Sequence, residues 1–387
     1  MKEGLNRKRL SDVLDVQNGY AFPSDNFNSS RGLPLIRIRS LKHGIETETH
    51  YEGPYEDKYV VNKGDLLIGM DGEFGCYEWK GGPSLLNQRV CRLQGFSGEL
   101  LPKFLFYGLN DYLKAIENVT GFTTVKHLSS KQILAIEFPI PPLPEQQRIV
   151  ALLDEACASF ATAKVSAERN LQNAQELFES HLEGVFHEQG EGWVETRLEE
   201  VCGFQNGFAF KSEKFTPVGC PILRISNIQD GQIDAGNRIV FFNPHDYLEN
   251  LERYRVTKGD LLIAMSGATT GKLGFITEDL IYYLNQRVGK FEPGQHLNLR
   301  YLYYFLSTKV DENLQISAGS AQPNLSTEQI KGLLLPLPSI ELQARIVESL
   351  EYLEKEIQRL TKIYERKLAT LEELKKSILH RAFSGEL

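Results

Sequence analysis

The chain has 387 residues, of which 41% are hydrophobic and 24% charged, with a formal net charge of −8. That length accommodates two or three domains with their own cores. No apolar run approaches the roughly 20 residues that span a bilayer, and residues 1–10 lack the apolar stretch of a secretory signal. The five cysteines, Cys76, Cys91, Cys157, Cys202 and Cys220, contain no Cys-x-x-Cys pair. A disulfide framework and a zinc site are therefore unsupported, and a cytoplasmic protein is expected. The acidity is uneven. Residues 144–192 carry 3 basic and 9 acidic side chains, against 17 of each in 1–143. Affinity for phosphate comes from Lys and Arg, so any nucleic-acid binding would need a partner to supply part of the electrostatics.

From the amino terminus, β-branched and aromatic runs bounded by Gly, Pro and Asn predict strands at 35–38 and 66–70, and 101–113 predicts a short helix. Pro139, Pro141, Pro142 and Pro144 then close this mixed region, because proline continues neither a strand nor a helix interior. About 40 residues without proline follow. The same order then returns, with a strand at 222–225, a helix at 299–306, a stop at Pro336 and Pro338, and a second long stretch.

The return is literal in places, which marks a tandem duplication of about half the chain. Gln17-Asn18-Gly19-Tyr20-Ala21-Phe22 recurs as Gln205-Asn206-Gly207-Phe208-Ala209-Phe210, and Pro34-Leu35-Ile36-Arg37-Ile38 as Pro221-Ile222-Leu223-Arg224-Ile225. Lys63-Gly64-Asp65-Leu66-Leu67-Ile68 and Leu86-Asn87-Gln88-Arg89-Val90 recur unchanged from Lys258 and from Leu284.

Apolar residues step by four and three along both long stretches. The first presents Ile149, Leu153, Ala156, Phe160, Ala163, Ala167, Ala174 and Leu177; the second Ile346, Leu350, Leu353, Ile357, Leu360, Tyr364, Leu371, Leu374 and Ile378. A seven-residue period kept this long predicts a coiled-coil seam, and the alanines of the first stretch admit a close neighbour. The alternative is two separate amphipathic helices, each covering its own domain; a length of roughly 60 Å speaks against it. Asn170 and Lys367 interrupt the two seams and are candidates for setting register. The expected fold is α+β. Two pseudo-symmetric mixed α/β domains, 1–143 and 190–338, are separated by two long helices, 144–189 and 339–387, in an intramolecular coiled coil expected to be antiparallel. That direction would carry the domains to opposite ends about a pseudo-two-fold axis.

Catalytic strings are weak. Gly267-Ala268-Thr269-Thr270-Gly271-Lys272 resembles a phosphate-binding loop but has three residues between its glycines and Leu273 where Ser or Thr should hold magnesium. Asn243-Pro244-His245-Asp246 lacks the aromatic that stacks on a flipped base. Asp71, Glu78 and Lys80 have a loose nuclease spacing with no counterpart in the second repeat. The eight histidines form no ligand cluster. No catalytic residue and no metal site is expected.

Side chains suited to base edges or phosphate fall at corresponding places in both repeats. They are Arg37, Asn87, Gln88, Arg89, Thr123, Thr124 and Lys126 in the first, and Arg224, Ser266, Thr269, Thr270, Lys272, Asn285, Gln286, Arg287, Ser320, Gln322 and Asn324 in the second. The unchanged Asn-Gln-Arg triplets suit a structural or phosphate role. The loops that differ, 71–80 against 266–272 and 123–127 against 320–324, are the better candidates for reading bases, with a plain solvated loop as the alternative.

The proline stop followed by Glu145-Gln146-Gln147-Arg148-Ile149-Val150, the loop 266–272, and the terminal run from Ser377 to Leu387 together resemble the specificity subunit of type I restriction-modification enzymes. The resemblance covers the whole chain in the order target-recognition domain, helix, target-recognition domain, helix. It implies a reader of a bipartite, asymmetric site on double-stranded DNA, with the helices as spacer. It further implies two modification subunits that methylate adenine with S-adenosylmethionine, and a restriction subunit driven by ATP and magnesium that can join. A two-headed DNA-binding regulator acting alone is the alternative. The sequence departs from the family pattern at Asp71-Gly72-Glu73-Phe74-Gly75-Cys76, whose two acids would repel phosphate, and at Pro338-Ser339-Ile340-Glu341-Leu342-Gln343, a looser match to the helix start.

Overall fold

The computed structural model describes residues 7–42, 47–119, 126–188, 190–229, 231–234, 236, 239–309 and 324–386. The chain divides into two compact units, residues 1–168 with 365–387, and residues 169–364. Helices Leu143–His187 and Ile340–Ser384, 45 residues each, contribute a segment to both units. Among the described residues no helix is long and apolar enough to cross a membrane.

In the first unit, a four-stranded antiparallel sheet runs Asp15–Asn18, Val90–Gln94, Leu66–Gly69, Gly75–Glu78. A five-stranded sheet runs Phe27–Asn28, His50–Tyr51, Leu33–Ile36, Ser84–Leu86, Val60–Val61, and Leu33–Ile36 lies parallel to Ser84–Leu86. The second unit repeats both sheets. A sheet of six strands begins Cys202–Asn206, Val288–Pro293, Leu261–Ala264, Leu273–Phe275, and one of five includes the parallel pair Cys220–Leu223 and Tyr282–Leu284. The repeated Leu-Leu-Ile is the reason the strand beginning at Leu66 is buried on both faces. Side chains alternate across a strand; Leu66 and Ile68 join the core around Phe104 and Phe138, while Leu67 joins that of Ile36 and Trp79. Leu261 and Ile263, against Leu262, divide in the same way. The preceding aspartates close the turn into each strand: Asp65 Oδ2 accepts from the Asn62 N–H at 2.9 Å, and Asp260 Oδ2 from Thr257 at 2.8 Å.

Two sequence expectations need correction. Ile38 opens a short helix, Ile38–Leu41, instead of ending a strand. The prolines also do not exclude a strand: Glu137–Pro139 pairs with Arg7–Arg9, and Leu334–Leu337, containing Pro336, with Val194–Arg197. Each is a two-stranded ribbon, where a residue without an N–H is tolerated.

Each long helix starts on a buried glutamine. Gln146, fully buried, accepts the Leu101 N–H at 2.9 Å and donates to the Glu99 and Pro141 carbonyls at 2.7 and 2.8 Å. Gln343 does the same with Asn298 N–H, His296 and Pro338 at 2.8, 2.9 and 2.9 Å. The looser helix start at 338–343 therefore keeps the contact that matters, at the position matching Gln146 when Arg148 is set against Arg345. Beyond it, Asp154 binds Lys103 and Tyr107 of the helix Pro102–Val119 at 2.8 and 2.5 Å; Glu351 faces Arg300 at 3.6 Å and Glu354 accepts from Tyr304 at 2.8 Å.

The helices run antiparallel. In the first unit Ile149 and Leu153 share a core with Ala382, Ile378 and Phe383, and Lys164 lies 3.5 Å from Glu372, so ascending one helix descends the other. In the second unit Leu182 and Phe186 meet Val347, Leu350 and Ile346. Ile149, Leu153, Ala167, Ala174 and Leu350 are buried, and Phe160, Ile346, Leu353, Ile357 and Tyr364 half-buried. Leu177, Leu360 and Leu374 are instead exposed, at 58%, 38% and 47%, and Phe178, Thr361, Leu368 and Leu371 are half-buried near them. Asn170 and Lys367 are exposed as well and do not interrupt a seam. A helix of 3.6 residues per turn drifts against a strict seven-residue repeat, so the covered stripe steps from Leu177 to Phe178 and from Leu360 to Thr361.

Candidate functional site

The parallel pairing ends both strands of the pair together, at Ile36 with Leu86 and at Leu223 with Leu284. Arg37 with Asn87, and Arg224 with Asn285, therefore follow side by side at matching edges. The Gln-Asn-Gly repeat builds the wall behind them. A Cβ on Gly19 would lie 2.0 Å from the Asn87 carbonyl oxygen, and one on Gly207 2.2 Å from that of Asn285, so only glycine admits this approach. Gln17 donates to the Lys58 carbonyl at 2.6 Å and Gln205 to that of Arg253. Asn18 and Asn206 reach the hydroxyls of Ser130 and Thr327. These repeated residues hold structure.

Three segments then close on one another in each unit. The Met70 N–H donates to the Arg89 carbonyl at 2.9 Å and the Leu128 N–H to the Met70 carbonyl at 2.7 Å; Met265, Arg287 and Leu325 repeat this at 2.9 and 2.8 Å. The zipper brings Asp71, Arg89 and His127 together in the first unit, and Ser266, Arg287 and Asn324 in the second, with backbone bridges from Asp71 to His127 and from Ser266 to Asn324.

The side chains complete the two clusters differently. Asp71 is 9% exposed; its Oδ2 accepts from Arg89 Nη1, and its Oδ1 lies 2.6 Å from His127 Nδ1. Burial by itself raises the Asp71 carboxyl, but the hydrogen bonds and charges of His127 and Arg89 outweigh it and hold the group below the usual carboxylate range. In the second unit Arg287 Nη1 donates to Asn324 Oδ1 at 3.0 Å. The loop acids are paired within the unit: Asp71 by Arg89, and Glu73 by Lys42 at 2.6 Å. Buried Glu117 braces the same loop, accepting from the Phe74 N–H at 3.2 Å and from Lys114 and Lys126 at 3.1 and 3.4 Å.

Asn87 is buried, while Gln88, Arg89, Gln286, Arg287 and Asn324 are exposed; Arg37, Arg224, Lys126, Ser266, Thr269, Lys272 and Asn285 are half-buried. Thr270 is buried and its hydroxyl donates to the Gly267 carbonyl at 2.7 Å, so it serves the loop itself. Thr269 donates to Ile225 at 3.2 Å. Thr123, Thr124, Ser320 and Gln322 lie outside the described residues. Asn243 accepts from the His245 N–H at 3.1 Å and caps a short 3-10 turn. The glutamine pins and the Asp71–His127 pairing escaped the sequence reading. Gln146 and Gln343 do align once Arg148 is matched to Arg345.

A family model for the type I restriction modification DNA specificity domain matches residues 2–166 and 190–368. The specificity subunit of the type I restriction enzyme EcoBI of Escherichia coli is 31% identical over 98% of this chain and 86% of its own length. That of MjaVIII from Methanocaldococcus jannaschii is 26% identical over 92% and 86%. Among solved structures, a chain from a study of type I R-M system assembly and conformational transition superposes with a TM-score of 0.77 at 21% identity, covering 100% of this chain and 99% of that one. The HsdS subunit of Thermoanaerobacter tengcongensis gives 0.62 at 20% identity, covering 100% and 98%.

Proposed function

This chain belongs to the family of type I restriction-modification specificity subunits, and on that footing we propose that it reads a bipartite, asymmetric site on double-stranded DNA, one half-site with each unit. The target-recognition domains are residues 1–143 and 190–338, and the spacer helices 144–189 and 339–387. Two modification subunits dock on the scaffold and methylate adenine with S-adenosylmethionine; a restriction subunit using ATP and magnesium joins the same complex. The chain itself contributes recognition and no chemistry, and works in the cytoplasm. Family membership leaves a regulator acting alone without support.

One observation carries this reading: the same backbone zipper presents exposed polar side chains in both units, while the residues around the shared arginine differ. A common frame with unlike contacts suits two unlike half-sites. Arg37, Asn87, Gln88, Arg89 and Lys126 form the first contact set, with Thr123 and Thr124. Arg224, Ser266, Thr269, Lys272, Asn285, Gln286, Arg287 and Asn324 form the second, with Ser320 and Gln322. The test is to co-express the chain with its modification subunits and map methylated adenines in the host DNA. A motif of two unlike halves around a fixed spacer is expected. Methylation at a continuous or palindromic motif, or none that depends on this chain, overturns the reading.

A further inference from the structure

Arg89 and Arg287 occupy matching places, yet their settings differ in charge. Asp71, buried, faces Arg89; the positions that answer Asp71 and His127 are Ser266 and Asn324, and neither carries a negative charge. Arg89 is also the only residue other than glycine with a positive φ, +70°, among the described residues. Such a backbone persists only where the surroundings over-determine it. Here the carbonyl is held by Met70 and the guanidinium by Asp71, while the side chain remains 59% exposed.

We propose that Arg89 reads a guanine edge in the first unit's half-site and that Asp71 and His127 are the positioning residues that aim it; the proposal rests on the DNA-reading function above. A guanidinium partly neutralised by a buried carboxylate pulls weakly on phosphate, whose attraction scales with net positive charge. Its remaining N–H donors keep a fixed planar fork, which matches O6 and N7 of guanine. Arg287, held by a neutral amide oxygen, keeps its full charge and serves the DNA backbone. One repeated residue thereby takes two roles, set by its neighbours.

The test measures binding by the assembled complex, with its modification subunits, to its mapped site and to duplexes substituted at each base pair of the first half-site, over a series of salt concentrations. Combined with Asp71→Asn, so that no lone carboxylate is left, Arg89→Ala and Arg89→Gly, the latter suited to the positive φ, should lose roughly ten- to hundred-fold discrimination at one guanine position and leave the salt slope unchanged. Asp71→Asn should tighten binding to unrelated DNA and steepen the slope by about one. His127→Asn should weaken discrimination at the same guanine. Uniform weakening by the Asp71→Asn, Arg89→Ala double variant with a slope lower by about one would mark a phosphate contact and overturn the proposal. So would an Asp71→Asn complex with wild-type slope and preference. A wild-type complex that binds every duplex alike would instead overturn the specificity function, and this inference with it.

Discussion

Single buried polar side chains decide much of this architecture. Replacing Gln146 with Leu would strand the Leu101 N–H and two carbonyls, at a cost of about 3 kcal/mol. Exposed Gln147→Ala should change stability by less than about 0.5 kcal/mol; urea unfolding compares the two. Asp71 adds a dependence on pH. Its folded pKa lies below the unfolded value of about 3.9, so its contribution is complete above that value and disappears as pH falls through the folded one. The stability difference between wild type and Asp71→Asn should shrink as pH falls from about 5 and close below about 4, as melting temperatures across that range would show. At this scale the sequence was only partly readable. Asn87 and Arg89 stood out because they recur, but Asp71 and His127 are 56 residues apart, and no periodicity announces a hydrogen bond between loops.

At the scale of elements, the long helices were the most legible feature, because a period sustained over 45 residues outweighs local ambiguity. Leu177 and Leu360 mark the limit of that pattern: both sit at heptad positions yet are exposed, because the helix keeps its own pitch and covers Phe178 and Thr361 instead, while Leu371 stays half-buried on the expected stripe. The helix ends carried a signal that was overlooked. Leu182 and Phe186 repeat as Leu379 and Phe383, and each phenylalanine enters a core: Phe186 packs 5.3 Å from Tyr301, and Phe383 4.9 Å from Phe104, centre to centre. Gly108 makes room for the latter, since a Cβ there would stand 2.4 Å from the Phe383 ring. Gly108→Val should therefore lower the melting temperature and make the end of the second helix accessible to protease. Phe383→Ala should cost about 2–3 kcal/mol, a little less than a fully buried phenylalanine, by urea unfolding.

For the whole molecule, the proposed reading of two half-sites makes their spacing depend on helix length. Inserting seven residues into both long helices keeps the apolar stripe in phase and adds about 10 Å to each. The gap between methylated half-sites should grow by about three base pairs at 3.4 Å each. Methylation mapping with the lengthened subunit checks this, and an unchanged gap would remove the helices as its determinant.

The first unit also draws Ile378, Leu379, Ala382 and Phe383 into a core otherwise made by residues 10–153. On the ribosome that core must wait for residues 378–383 to be made, on the order of tens of seconds at ordinary elongation rates. Until then the surface around Phe104 and Phe138 stays uncovered. The nascent chain is thus exposed to capture by chaperones, or by a sibling's finished helix, before its own arrives.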